Sequence, residues 1–480
     1  MFKKRKRQSK NCFFCYNKIG DRMKKNEYEK ILSIAMSTGA DFAEIYYEEM
    51  KTKSYNFNDS MLDTIKTNNQ KGIGIRIIKD DEYFYSSTNN LDFENLKKTA
   101  KKLAGNIVGK TVKKNIKLRD LQVLKHDIKI PHKNYAADNK KNILKSIDSK
   151  IREKYSQVTQ VILRFIEDSK DFTIANTEGK FINSDSIHTR YICMVYTEKN
   201  GIKENEHAMY GEATGYEFLD NFNIESLSLS TAKSAVDKLD AEDFPGGEYP
   251  VIIASGFGAV IFHEACGHGL EATSIAPKLS IFTDLIGTKI ASEKVTLIDD
   301  GTLENVWGSN IIDDEGNKTE KTVLIDKGVL KNYLIDMHSS KKMNMRANGC
   351  ARRQDYNYAP TSRMSNTYLA PGNDTINEML ESIELGVYCE KLSGGTVNTT
   401  TGDFNFAVDT AHLIENGKIT KPIKGITLIG NGKDILNNVE MVSDDLKLSD
   451  GYCGSKSGMV HVTIGQPTIK ISKILVGGKE

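Results

Sequence analysis

The stretch Asp243-Phe244-Pro245-Gly246-Gly247-Glu248-Tyr249-Pro250 divides the 480-residue chain into two differently patterned halves. Pro and Gly at four of its eight positions disfavour both helix and central strand, so the stretch predicts a linker and a domain boundary. On its N-terminal side Tyr28, Ile31, Leu32, Ala35 and Met36 recur at helical spacing, and Gly39 supplies the stop. Asn90 or Asp92 is placed to cap a helix over 93–103 that Gly105 closes, and further helices are expected over 134–155 and 224–239. Short runs rich in β-branched and aromatic residues predict strands at 42–47, 72–78, 83–87, 158–166, 173–176, 191–197 and 208–214. Residues 23–243 therefore read as an N-terminal α/β domain.

Beyond the linker the pattern changes. Residues 256–273 are nearly the only long helical stretch, while 294–298, 322–326, 333–335, 394–400, 404–408, 426–429 and 459–464 alternate strand patterns with Gly, Asn and Asp turns. The second half, 244–480, is expected to be a β-rich domain holding one metal-bearing helix. The fold class is α+β, and no fixed-period repeat stands out.

That helix contains His263-Glu264-Ala265-Cys266-Gly267-His268. Two imidazoles bracketing a carboxylate can hold a metal ion and activate its water. The spacing is not the common HExxH. At about 100° per residue, side chains at i and i+5 lie about 140° apart on a regular helix and cannot aim at one ion. The motif therefore predicts an irregular helix, with a π-bulge or unwinding at the second His, which Gly267 and Gly269 make less costly. Zinc lowers the pKa of bound water towards neutrality, which casts Glu264 as the general base.

Catalytic zinc usually takes three protein ligands and a water, so the chain must supply another donor. Cys266 lies at i+3 from His263, about 60° around a regular helix. Cys453 competes from the distant turn Gly451-Tyr452-Cys453-Gly454, where glycines on both sides let a thiolate approach a metal. Glu271 and His461 are lesser options, expected as supporting or structural residues in preference to ligands. Spacing alone leaves the choice open.

Composition narrows the function classes. With 66 basic and 64 acidic residues the net charge is +2, so no global field argues for nucleic acid or membrane binding. Seven scattered Cys are too few for a disulfide framework, which fits a reducing cytoplasm. The longest apolar segment, 249–262, falls short of a bilayer span. Residues 1–22 form a basic extension without the apolar run of a signal peptide, and Cys12 and Cys15 form a CxxC with no second pair to complete a zinc ribbon.

The segment HEACGHGLEA, Arg363-Met364-Ser365-Asn366-Thr367-Tyr368 leading to Pro371-Gly372, Glu415-Asn416-Gly417, Gly430-Asn431-Gly432 and Cys453-Gly454 together resemble the TldD/PmbA family of metalloproteases, in its TldD branch. Ala40-Asp41-Phe42-Ala43-Glu44 and Gly72-Ile73-Gly74-Ile75-Arg76 extend the similarity from about Met23 to the C-terminus. The resemblance implies one zinc ion per chain held by His263, His268 and Cys453, with Glu264 as catalytic base. It also implies a barrel-like C-terminal domain and dimerisation, as a homodimer or with a paralogue lacking the zinc motif.

The leading expectation is a cytoplasmic zinc peptidase acting on peptides or unfolded segments. Arg363, Tyr356 and Tyr368 are candidate donors to the tetrahedral oxyanion or the substrate. A zinc amidohydrolase acting on a small metabolite, and a binding or chaperone module with structural zinc, are the alternatives. A structural site is closed by four protein ligands, whereas a catalytic one leaves a position open.

Overall fold

Alternating apolar residues at 42–47 and 72–78 do form strands, but those strands run far beyond the apolar stretches. In the computed structural model, which describes residues 23–111, 114–122, 128–398 and 400–478, they become Phe42–Asn58 and Met61–Lys79. The basic extension with Cys12 and Cys15 lies outside the described residues. The expected strands at 158–166 and 173–176 are a single strand, Val158–Asn176, continuous through Glu167-Asp168-Ser169-Lys170-Asp171. A main-chain ladder holds these polar residues in line: Thr52 pairs with Asn68 on one side and Asp168 on the other. The backbone bonds, not side-chain propensity, carry the strand there.

These strands build one sheet in the order Glu82–Thr88, Met61–Lys79, Phe42–Asn58, Val158–Asn176, Lys180–Lys199. Ile202–Glu212 and Arg119–Leu121 both pair with the last of them, the latter in parallel. Helices Lys25–Ala35 and Phe93–Ala104 bury Ile31, Leu32, Leu96 and Ala100 against Ile45, Tyr47, Ile75 and Ile77. Asp92 caps the second helix, its carboxylate accepting from Asn95 N. Helices Ala137–Lys154 and Ile224–Asp237 cover the other end of the sheet over Leu163, Phe165, Tyr191 and Val195.

The second half contains a closed barrel. Gly247–Ile253, Leu385–Val397, Asp403–Glu415, Thr427–Asn431 and Ile469–Gly477 pair in a ring, since Leu385–Val397 bonds to both Gly247–Ile253 and Asp403–Glu415. The expected linker therefore yields to structure early. Glu242–Asp243 already pairs with Lys418–Lys424, and Gly247 opens a barrel strand despite Pro250. A second sheet runs Val329–Leu330, Lys321–Asp326, Leu297–Asp300, Asn366–Leu369, Gly458–Gln466, Lys447–Ser455. Residues 333–335 are not a strand; Leu334 makes only an isolated bridge to Glu271.

Buried ion pairs join the halves. Arg76 lies 3.1 Å from Glu44 and 2.8 Å from Glu315, and Arg353 reaches Glu44 at 2.6 Å. Arg190 of the first sheet meets Asp450 of the Lys447–Ser455 strand at 2.6 Å. That strand is thereby fixed against both halves. Among the described residues no helix is long and apolar enough to cross a membrane.

Candidate metal centre

The expected helix over 256–273 is a chain of short pieces. Val260–Phe262 is α-helical, His263–Gly267 is a π-helical turn, and His268–Leu270 is a 3₁₀ turn. A π turn adds a residue to the helical circuit, which brings side chains five apart towards one face. The His263 and His268 rings stand 5.0 Å apart between centroids.

The apolar residues of the segment hold this shape. Ile261, Phe262, Ala265, Cys266 and Leu270 all enter the core of the second half. The two glycines are required by contact and not by backbone freedom. A Cβ on Gly267 would stand 2.3 Å from Met364 Sδ, and one on Gly269 would stand 2.8 Å from the Phe282 ring.

Cys453 arrives from the antiparallel hairpin of Lys447–Ser455 and Gly458–Gln466. Its Sγ lies 3.2 Å from His263 Nε2 and 3.2 Å from His268 Nε2. One donor atom from each of His263, His268 and Cys453 falls within 4.8 Å of the others. Tetrahedral zinc with its usual Zn–S and Zn–N bonds has sulfur-to-nitrogen edges of about 3.5 Å. The observed edges are a few tenths shorter, so the donor set fits zinc in both chemistry and size.

The charge of the Cys453 thiolate agrees with that fit. Burial opposes ionisation of the Cys453 thiol, but His263 and His268 overcome it and bring the thiol down to about 4. Burial likewise opposes the His268 imidazolium, and the nearby Glu271 and Cys453 outweigh it, holding that ring well above the usual histidine range. Cys266 is different. It is fully buried, donates to Phe262 O at 3.0 Å, and burial pushes its thiol up to about 12. The structure does not bring Cys266 into the cluster.

Glu264 flanks the donors without joining them. Its side chain is partly exposed, with Oε2 3.9 Å from His268 Nε2. Glu271 stands behind the donors, in the supporting position expected of it, and not among them. Its Oε2 receives His268 Nδ1 at 3.2 Å, while its Oε1 stands 3.7 Å from Arg363 Nε. Arg363 in turn donates to the Cys453 carbonyl at 2.6 Å, to Ser457 Oγ at 3.0 Å and to Gly458 O at 2.8 Å. One connected pair of side chains therefore braces both His268 and Cys453. The Glu at i+3 from His268 was the available signal.

These contacts correct the donor role expected of Arg363. Its side chain is wholly inaccessible and its guanidinium is engaged with the protein, which fits a clamp and not a donor to an oxyanion. Tyr356 is also misplaced for that task. It packs with Tyr46, Phe172, Ile174 and Ile182, its ring lying over Gly72. Tyr368 is buried in the Asn366–Leu369 strand beside Lys321, Asp300 and Asp299. His461 sits elsewhere too, its ring stacked 4.1 Å from that of His188.

A second convergence of donors, Glu206, His207 and Asp409, does not suit a metal. Lys238 lies 2.6 Å from Glu206, and Lys391 also bonds to it, so cations already occupy that carboxylate.

Comparison with known proteins gives the family of the chain. The PmbA/TldA metallopeptidase C-terminal domain matches residues 246–478, domain 1 of the same family matches 43–107, and its central domain matches 130–240. A Buchnera aphidicola protein named metalloprotease TldD homolog is 31% identical over 451 residues, covering 91% of this chain and 93% of its own. The chain belongs to the PmbA/TldD metallopeptidase family. A Saccharolobus solfataricus relative named zinc metalloprotease TldD homolog is 26% identical, covering 94% of this chain and 99% of its own. Among solved structures, TldE from Thermococcus kodakarensis shares the fold, with a TM-score of 0.75 at 18% identity, covering 94% of this chain and 98% of its own. Membership makes the chain a metallopeptidase at the level of the family.

Proposed function

We propose that this chain is a zinc-dependent peptidase that hydrolyses peptide bonds in peptides or unfolded segments. The observation that carries the proposal is the convergence of His263, His268 and Cys453 with the Glu264 carboxylate beside them. Three protein donors leave a fourth zinc position available, the arrangement of a catalytic site. Bound there, zinc supplies Lewis acidity that lowers the pKa of water and polarises a carbonyl.

The chain's own residues do the rest. Glu264 accepts the proton of the attacking water and delivers it to the leaving amine. Its partial exposure gives it access to both, whereas the buried Glu271 stays with His268. Glu271 and Arg363 hold the imidazole and the cysteine main chain in place, as groups behind metal ligands commonly do. Pairing of two such chains, as a homodimer or with a paralogue lacking the motif, is what the resemblance to the family implies. The five cysteines among the described residues are free, which is compatible with a reducing cytoplasm.

Substituting Glu264→Gln removes the base while leaving the three donors. Zinc content measured by atomic emission should stay near one per chain. Cleavage of a mixed peptide library, read by mass spectrometry of new termini, should fall by about 10²–10⁴-fold. Undiminished cleavage by the variant would eliminate Glu264 as the base.

A further inference from the structure

Adjacent residues on a strand face opposite ways, so the hairpin that points Cys453 at the histidines points Tyr452 and His461 away from them. On that other side lies a cavity of about 390 Å³ between the two halves of the molecule. One wall is the first sheet, where Asn68, Thr52, Asp168 and His188 form one cross-strand row. The opposite wall carries Arg352, Tyr452 and His461. The volume falls in the range of small-molecule sites.

Two buried ionisable groups in this cavity make no direct contact with a fixed opposite charge among the described residues. Asp168 is 6% exposed, and burial raises its pKa against a hydrogen bond from Thr52; its Oδ1 has no hydrogen-bond partner and its Oδ2 stands 3.7 Å from His461 Nε2. His461 offers no cation in return, because burial and the nearby Arg352, Lys170 and Arg190 hold it well below the usual histidine range. Arg352 is 7% exposed and donates to Met364 O at 3.0 Å, with no carboxylate within 4.0 Å among the described residues. Burial pulls it down to about 10, opposed by Asp314 beyond contact distance and aided by Arg363. Burying an unpaired charge is costly, and these two line one cavity without meeting.

We propose that this cavity binds a small zwitterion of the peptide class, an amino acid or dipeptide, whose ammonium pairs with Asp168 and whose carboxylate pairs with Arg352. Neither an anion nor a cation alone satisfies both groups. Such a ligand would sit behind the strand that supplies Cys453.

The test is titration calorimetry of the full chain with glycylglycine, N-acetylglycylglycine and glycylglycinamide, repeated in the Glu264→Gln chain to remove any heat of turnover. Glycylglycine should bind saturably, and loss of either end charge should weaken binding at least tenfold. Asp168→Asn, which preserves shape, should weaken glycylglycine at least tenfold while zinc content stays unchanged. Absence of saturable glycylglycine binding, equal binding of the capped probes, or full binding by Asp168→Asn would each overturn the proposal.

Discussion

The segment bearing His263 and His268 and the hairpin bearing Cys453 reach the same point by opposite means. The first is irregular, changing helical type twice within eleven residues, and is held by side chains packed into the core. The second is a regular antiparallel ladder from Lys447 to Gln466, held by main-chain bonds and by Arg363 on the Cys453 carbonyl. Irregular backbone needs specific packing to persist, whereas a paired strand tolerates substitution along its exposed positions. The two ligands on the first segment should therefore be sensitive to their neighbours, and the ligand on the second should depend mainly on its own sulfur.

The sharpest way to break this comparison is to exchange the two cysteines nearest the site. Cys453→Ala should reduce zinc from one per chain to almost none in the purified protein, because two donors remain of three. Cys266→Ala should retain zinc, since that sulfur is bonded to Phe262 O inside the core. Its cost should appear as lost stability, of the order of 1–2 kcal/mol for a small buried hydrophobe. Zinc retained by Cys453→Ala and lost from Cys266→Ala would move the third ligand onto the irregular segment.

The contrast also explains what could be read in the sequence. The five-residue spacing of His263 and His268 demanded a distorted helix from geometry alone, and a π turn is present at that place. Asp92 and the apolar spacing after it located the Phe93–Ala104 helix, because a cap and a stripe are local signals. The polar second half of Phe42–Asn58 and the polar middle of Val158–Asn176 were not legible, since partners distant in sequence keep them extended. Nothing around Cys453 distinguishes it from Cys266 by spacing; family resemblance pointed to it. Arg363 was noticed for the wrong reason, because a sequence cannot tell a guanidinium aimed at substrate from one closed over a carbonyl.

A smaller effect probes the bridge between the two regions. Glu271→Gln removes the charge that His268 Nδ1 faces and weakens the link to Arg363, while leaving all three donors. Replacing such partners typically costs 10–100-fold in metal affinity. Competition against a chelating dye should show that loss, and an unchanged affinity would mean that packing alone orients His268.

The last pair of substitutions asks whether the two regions really differ in tolerance, by adding one methyl group beside each. Gly267→Ala places a Cβ 2.3 Å from the sulfur of Met364, which is fully buried and cannot retreat. Overpacking of this kind costs about 1–3 kcal/mol, and here it should lower both the thermal midpoint and zinc retention. Gly454→Ala also meets a methionine sulfur, that of Met459 at 2.8 Å, but this side chain is 49% exposed and can swing into solvent. Its cost should stay within about 0.5 kcal/mol, the range of ordinary surface changes. Equal losses at the two glycines, measured as shifts in denaturation midpoint, would show that the hairpin is as tightly constrained as the π turn. The division between a packed ligand segment and a laddered one would then fail.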